Sequence, residues 1–393
     1  MKKHVKLAVA MSALLTMSVP AQSYGAGTQA SLTSTAASAW KELTVSQKID
    51  LYDPVVKLSD LGVDLKAIES ITLWKDKQLE TDIEIDAERI FLVNEMPLQP
   101  KTTYYLKVYL QDGKRIKAKL ETQDLPSIQA TGKEQVVVVP AMPEKGFHYP
   151  YILRIPTDRY KSQNAGKKRY LLVEPNNIGA SNTSENAYLR TKDEMYRPYY
   201  NKLAEQAWMP KLMPAFPRYR FNIDNEYFLT HSLDRMSVLL TAARVKTYLA
   251  DSRFQSQMKL SGLRGKDFEA MVRVDKQLEA MIDHAIGYLN GYEHNVDGKK
   301  VFLFGFSASG NFANRWALLY PDRVKGVIAG GTNSQPTIPA KEVDGEKLIF
   351  PIGVYDYKGI TGKEFSKEAY GKVANFIFQG ERDEADTYGM PDT

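Results

Sequence analysis

Residues Val301 to Arg315 read VFLFGFSASGNFANR, and the fold turns on this stretch. Lys300-Val301-Phe302-Leu303-Phe304-Gly305-Phe306 is an almost continuous apolar run of strand length, as expected of a buried strand in a parallel sheet. Ala308 to Tyr320 reads as a helix stopped by Pro321. Between strand and helix lies Gly305-Phe306-Ser307-Ala308-Ser309-Gly310. A serine on so tight a strand-to-helix turn, with small residues two places before and after it, has the pattern of a nucleophile elbow. Small residues are expected there because the two backbones approach too closely for large side chains. The stretch departs from G-x-S-x-G only in carrying Ser309 at the second small position.

Working outward, strands alternate with helices from about Glu134 onward. Arg169-Tyr170-Leu171-Leu172-Val173-Glu174 is an apolar strand, and Val324 to Gly331 and Asn375 to Gly380 are two more. Val274, Leu278, Met281, Ile282, Ala285 and Leu289 recur at helical spacing and predict an amphipathic helix over Val272–Leu289, ending near Gly291. Trp208 to Pro217 is a further apolar run, expected to be irregular because of its prolines. This alternation predicts an α/β domain with a mostly parallel sheet and helices on both faces, over residues 136–393.

The stretch VFLFGFSASGNFANR resembles the elbow of bacterial secreted α/β-hydrolases of the esterase and peptidase type. The resemblance covers about Val136 to the chain end. YLLVEPNN, the elbow and the strand ending in QGERD fall in that family's order. It implies a serine hydrolase that works through an acyl-serine on Ser307, since a plain serine needs a base, and the base an orienting acid. The family order of serine, acid and histidine places the acid after a late strand. Asp383 is the choice, with Asp386 and Glu381 as alternatives. The resemblance also implies an oxyanion hole from the backbone N–H of Ala308 and a second donor in Pro175-Asn176-Asn177-Ile178-Gly179, where Asn177 is preferred to Asn176.

The catalytic histidine should follow the acid, yet none lies between Glu384 and Thr393. Among His4, His148, His231, His284 and His294, only His231 falls in an aromatic-rich region able to line a site, and its order is wrong for the family. The hydrolase fold is therefore expected to be incomplete at its C-terminal end. The alternative is a complete chain with an unusual base or none. The aromatic, proline-rich stretch from Tyr196 to Phe228 is read either as a pocket wall or as structure.

At the other end, Lys2, Lys3 and Lys6 precede an apolar run from Leu7 to Val19 and then small residues, which is the layout of a secretory signal peptide over residues 1–23. That leader carries three lysines and no acids, so the formal charge falls from +5 to +2 without it. With no Lys/Arg-rich block, nucleic acid is not an expected partner. No stable membrane insertion is expected either. The chain has no cysteine, which excludes disulfides and thiolate metal sites. Residues 24–39, rich in Ser, Thr, Ala and Gly, read as a flexible linker.

Residues 40–125 carry strand patterns, notably Thr103 to Leu110 and Arg115 to Thr122 about the turn Gln111-Asp112-Gly113-Lys114. The run Pro97 to Tyr104 resembles the approach to a late strand of fibronectin-III or Ig-like domains, and the segment is expected to be a small β-sandwich. It would serve as a spacer, or associate with substrate or cell wall. No metal-ligand spacing, phosphate loop or cofactor motif stands out, so no metal or cofactor is expected. Two functions follow: a secreted enzyme cleaving an ester, or a peptide, and a non-catalytic extracellular binding protein that keeps the hydrolase fold without its histidine.

Overall fold

The computed structural model describes residues 40–382 except 52–53, 76–77, 81–83, 86–87, 93–97, 129–132, 178–183, 197, 219–221, 224–225, 229 and 333–336. The chain divides into two compact units near Thr122, with residues 95–100 belonging to the second.

In the first unit, alternating side chains build a five-stranded sheet in the order β1 (Lys41–Thr44), β8 (Arg115–Glu121), β7 (Thr103–Leu110), β3 (Ile68–Lys75), β4 (Gln78–Glu80). The β7–β8 hairpin sets Leu106 opposite Ala118 and closes through Gly113 at φ +82°, the left-handed conformation that the Asp-Gly turn requires. Tyr104, Leu106 and Val108 point inward, as do Ile116, Ala118 and Leu120. A second sheet joins β2 (Val55–Lys57), β6 (Arg89–Phe91) and β5 (Glu84–Ile85).

The second unit is α/β. Its seven-stranded sheet runs β15 (Ala374–Phe378), β14 (Val324–Gly330), β13 (Val296–Phe306), β11 (Arg169–Val173), β12 (Lys211–Pro214), β10 (Tyr151–Ile155), β9 (Gln135–Val139). Neighbours are parallel except on either side of β10. The apolar run of β11 supplies both faces, as parallel strands must. Leu171 and Val173 enter the main core with helices α3 (Val274–Gly291) and α4 (Ala308–Leu319). Leu172 packs on the other face with Ala204, Met209 and Phe302, on the side of helix α2 (Pro198–Gln206) and its partner α1 (Ser184–Met195).

Two local expectations are corrected. The Trp208–Pro217 run holds a regular strand, β12, in the sheet interior. Pro210 and Pro214 stand at its ends, so their missing N–H groups break no interior ladder bond, and Pro210 still accepts from the Leu172 N–H at 2.8 Å. The amphipathic helix starts at Val274 rather than Val272, because Arg273 has φ +49° and cannot join a right-handed helix.

Candidate active site

β13 runs straight into α4, and Ser307 is the single residue between them. Its backbone is at φ +58°, ψ −126°, a conformation outside the regions open to an unstrained L-residue. The Ser307 N–H donates to the Gly330 carbonyl of β14 at 2.8 Å, and the Ser307 carbonyl accepts the first helical bond from the Asn311 N–H at 3.0 Å. The residue thus ends one element and starts the next with no spacer. Ser307 itself is half-buried, and Ala308 behind it is buried. As the first residue of α4, Ala308 has a backbone N–H that the helix does not use, at the positive end of the helix dipole.

The residues around the serine show why the turn can be so tight. A Cβ on Gly305 would lie 2.2 Å from the Ser309 carbonyl oxygen, so only glycine fits two places before Ser307. On the helix side the steric demand falls one residue later than expected. A Cβ on Gly310 would lie 2.7 Å from the Gly330 carbonyl oxygen. Ser309 has a bonding role instead: its Oγ accepts from the Phe306 N–H and donates to the Phe306 carbonyl, both at 2.9 Å. The serine in the place of the motif's second glycine therefore clips the turn shut.

Helix α4 is fixed to the rest of the unit at several points. Arg315, buried, donates to the Ser232 carbonyl at 3.0 Å. Trp316 Nε1 donates to the Asp275 carbonyl at 3.0 Å, and the Tyr320 hydroxyl donates to the Asp275 carboxylate. Arg273 grips that same carboxylate through two bonds of 2.9 and 2.7 Å. Burial raises the Tyr320 phenol well above its ordinary range, and the Asp275 charge adds to this.

The loop after β11 leaves the sheet at the same edge as the serine, since Val173, the last residue of β11, pairs with Leu303 of the parallel strand β13 that ends before Ser307. Asn176 is buried and donates to the Phe216 carbonyl at 2.7 Å, which ties the end of β11 to the end of β12. Its side chain is a structural clamp, and Asn177 is half-buried. Just before the loop, Glu174 pairs with Lys211 of β12 at 2.9 Å, and both side chains are buried. Burial pushes the Glu174 carboxyl up and the Lys211 ammonium down, and their mutual attraction opposes both shifts.

β15 brings the remaining loop to the same edge, since Phe378 pairs with Gly330 and Gly330 with Phe306. Glu381 follows this strand in an exposed turn. Asp383 and Asp386 lie outside the described residues.

The histidines sort by their surroundings. His284 Nδ1 is 2.6 Å from the Tyr151 hydroxyl, and burial lowers the imidazole to about 4. His294 sits before β13, between Arg169 at 3.1 Å and the Ile128 carbonyl at 2.9 Å. His294 is buried at the amino end of β13, and His284 is half-buried among Phe147, Tyr151 and Tyr288. His231 is different. Its short turn, Thr230–Ser232, is buried against α4. Thr230 donates to the Pro217 carbonyl at 2.5 Å, just past β12, and Ser232 accepts from Arg315. That places His231 beside the elbow helix, despite its position in the chain order. In the aromatic stretch before it, Phe216 and Phe228 are core, whereas Tyr196 is exposed. Phe216 stacks on Phe312 at 5.9 Å, and Phe228 packs on Phe268 at 5.5 Å, so neither walls a pocket.

Among the described residues no group of three or more His, Asp or Glu side chains could hold a metal, and no helix is long and apolar enough to cross a membrane.

No family model matches the sequence, and no curated protein matches it. Solved structures similar to the chain include a poly(3-hydroxybutyrate) depolymerase from Bordetella parapertussis, 13% identical, with TM-score 0.33 over 66% of this chain and 69% of that one. A thermostable esterase is 12% identical, with TM-score 0.30 over 89% and 94% of the two chains. A putative dienelactone hydrolase from Klebsiella pneumoniae subsp. pneumoniae is 14% identical, with TM-score 0.28 over 66% and 91%. These likenesses are loose, and the chemistry rests on the turn itself.

Proposed function

We propose that the chain is a secreted α/β-hydrolase that cleaves an ester bond through an acyl-serine on Ser307. The observation that carries this reading is the backbone of Ser307, held at φ +58°, ψ −126° between β13 and α4. Strain of this kind costs about 1–3 kcal/mol and is kept where a side chain must be presented in one direction. Here it presents a hydroxyl at the carboxyl edge of a parallel sheet, over a helix N-terminus.

In this reading the Ser307 Oγ attacks the acyl carbon and its proton passes to a base. The carbonyl oxygen gains negative charge, which the Ala308 N–H and Asn177 stabilise. The tetrahedral adduct collapses, the alcohol leaves with the proton, and water then releases the acid by the same steps in reverse. Asp383 is the acid that orients the base. Residues 1–23 direct export, and residues 40–125 form a β-sandwich that associates with the cell wall.

The test is labelling of the full chain with a fluorophosphonate, which reacts only with an activated serine. Labelling of the wild type and none of Ser307→Ala is expected. A wild-type chain that takes no label has no activated serine, and the binding-protein reading then replaces this one.

A further inference from the structure

The outer face of the five-stranded sheet has an unusual composition for a solvated surface. The side chains that alternate with the buried ones on β7 are Tyr105, Lys107 and Tyr109, all half-exposed. Trp74 of β3 lies beside Tyr105 in the register, and Trp40 precedes β1 on the other side. Four aromatic rings therefore share one sheet face with the cations of β8, Arg115, Lys117 and Lys119.

Rings and cations are interleaved. Lys107 Nζ lies 3.7 Å from the centre of the Trp74 ring and 5.9 Å from that of Trp40. Arg115 stands 5.9 Å from both Trp40 and Tyr109, whose rings meet edge to face at 5.3 Å. Lys117 Nζ lies 4.8 Å from the centre of the Tyr105 ring. Carboxylates answer two of the four cations: Glu42 pairs with Lys117 at 3.2 Å and Glu121 with Lys119 at 2.8 Å. Lys107 and Arg115 lie against aromatic rings.

We propose that this face binds a uronate-bearing polysaccharide. A pyranose ring presents a C–H face that suits Trp and Tyr, and a carboxylate on each sugar suits cations spaced between the rings. Arg115 offers the fork that pairs a carboxylate at two points. Four cations against two carboxylates leave the face moderately positive, which matches one charge per sugar. Single-stranded nucleic acid also uses aromatic–basic sheets, but it calls for a stronger basic field than this chain carries. The inference stands on the first unit alone and is independent of Ser307.

The experiment is affinity electrophoresis of the full chain in gels containing polygalacturonate, dextran or poly(U) RNA. Retardation by polygalacturonate is expected, with dextran weaker and poly(U) weaker still. Trp74→Ala is expected to weaken the polygalacturonate affinity about tenfold, the equivalent of about 1.4 kcal/mol. Lys107→Gln with Arg115→Gln keeps every ring and is expected to weaken it at least as much. Circular dichroism shows whether each variant is folded; if Trp74→Ala is not, the double variant decides. No retardation by polygalacturonate, equal retardation of wild type and folded variants, or preference for poly(U) each overturns the proposal.

Discussion

Gly305→Ala puts one methyl group where the turn has no room for it. The new Cβ would stand 2.2 Å from the Ser309 carbonyl oxygen, 2.4 Å from its carbonyl carbon and 2.7 Å from the Gly310 nitrogen. All three are backbone atoms of the first turn of α4, so no rotamer change can relieve them. Overpacking of an interior costs about 1–3 kcal/mol, and contacts so far inside van der Waals distance against rigid backbone belong at or above the top of that range. A control separates this clash from the general effect of replacing glycine by alanine. Gly287 lies on the exposed side of α3 with nothing within 4 Å of its added Cβ. There the same substitution should stabilise the helix by about 0.5–1 kcal/mol. The two alanine variants should therefore differ by roughly 4 kcal/mol, with opposite signs relative to wild type. Urea unfolding followed by tryptophan fluorescence measures both, with the slopes compared to ensure a common transition. A Gly305→Ala midpoint equal to that of Gly287→Ala would falsify the tight turn, and with it the strained presentation of Ser307.

Asn176→Leu removes the clamp on the Phe216 carbonyl and leaves that acceptor without its donor, so unfolding free energy should drop by about 1–3 kcal/mol. An unchanged urea midpoint would show that the clamp bears nothing. At the buried pair, Lys211→Met alone should cost about 3–5 kcal/mol by stranding the Glu174 charge, while adding Glu174→Leu should recover most of the loss. A double variant less stable than the single one would refute this. For pH, the unfolded chain protonates His284 near its ordinary value and the folded chain only at about 4. Its contribution is complete above that ordinary value and is lost as the pH falls towards 4. Thermal melts across that window should decline in wild type and decline less in His284→Phe; parallel curves would count against the assignment.

What could be read from the sequence was local. β13, α4 and the elbow between them are set by apolar runs, a proline and small residues within twenty positions, and these appear in the structure with shifted ends. β12 was not legible, because its prolines argue against a strand until they are seen to fall at its two ends. The site was legible only in part, for a related reason. The bond that holds the Asn176 side chain goes to Phe216, forty residues away, and the need for glycine at 310 depends on a carbonyl of the neighbouring strand. The placement of His231 beside α4 depends on a turn held from Pro217 and Arg315, neither of which sequence order points to.

That dependence on distant partners explains how the strain at Ser307 is sustained. A backbone conformation costing about 1–3 kcal/mol relaxes unless several contacts would be lost with it. Relaxation here would pull the Ser307 N–H from β14, open the Ser309 clip and shift α4. Yet α4 is held at its middle by Arg315 and Trp316, and at its end by Tyr320 and by the Tyr357 hydroxyl, which donates to the Leu319 carbonyl at 2.8 Å. Each of these net hydrogen bonds contributes about 0.5–1.5 kcal/mol, so three or four suffice to outweigh the strain. The elbow is thus short in sequence but is maintained by the whole α/β unit, and weakening α4 at Asp275, far from the hydroxyl, should release it as surely as a change beside Ser307.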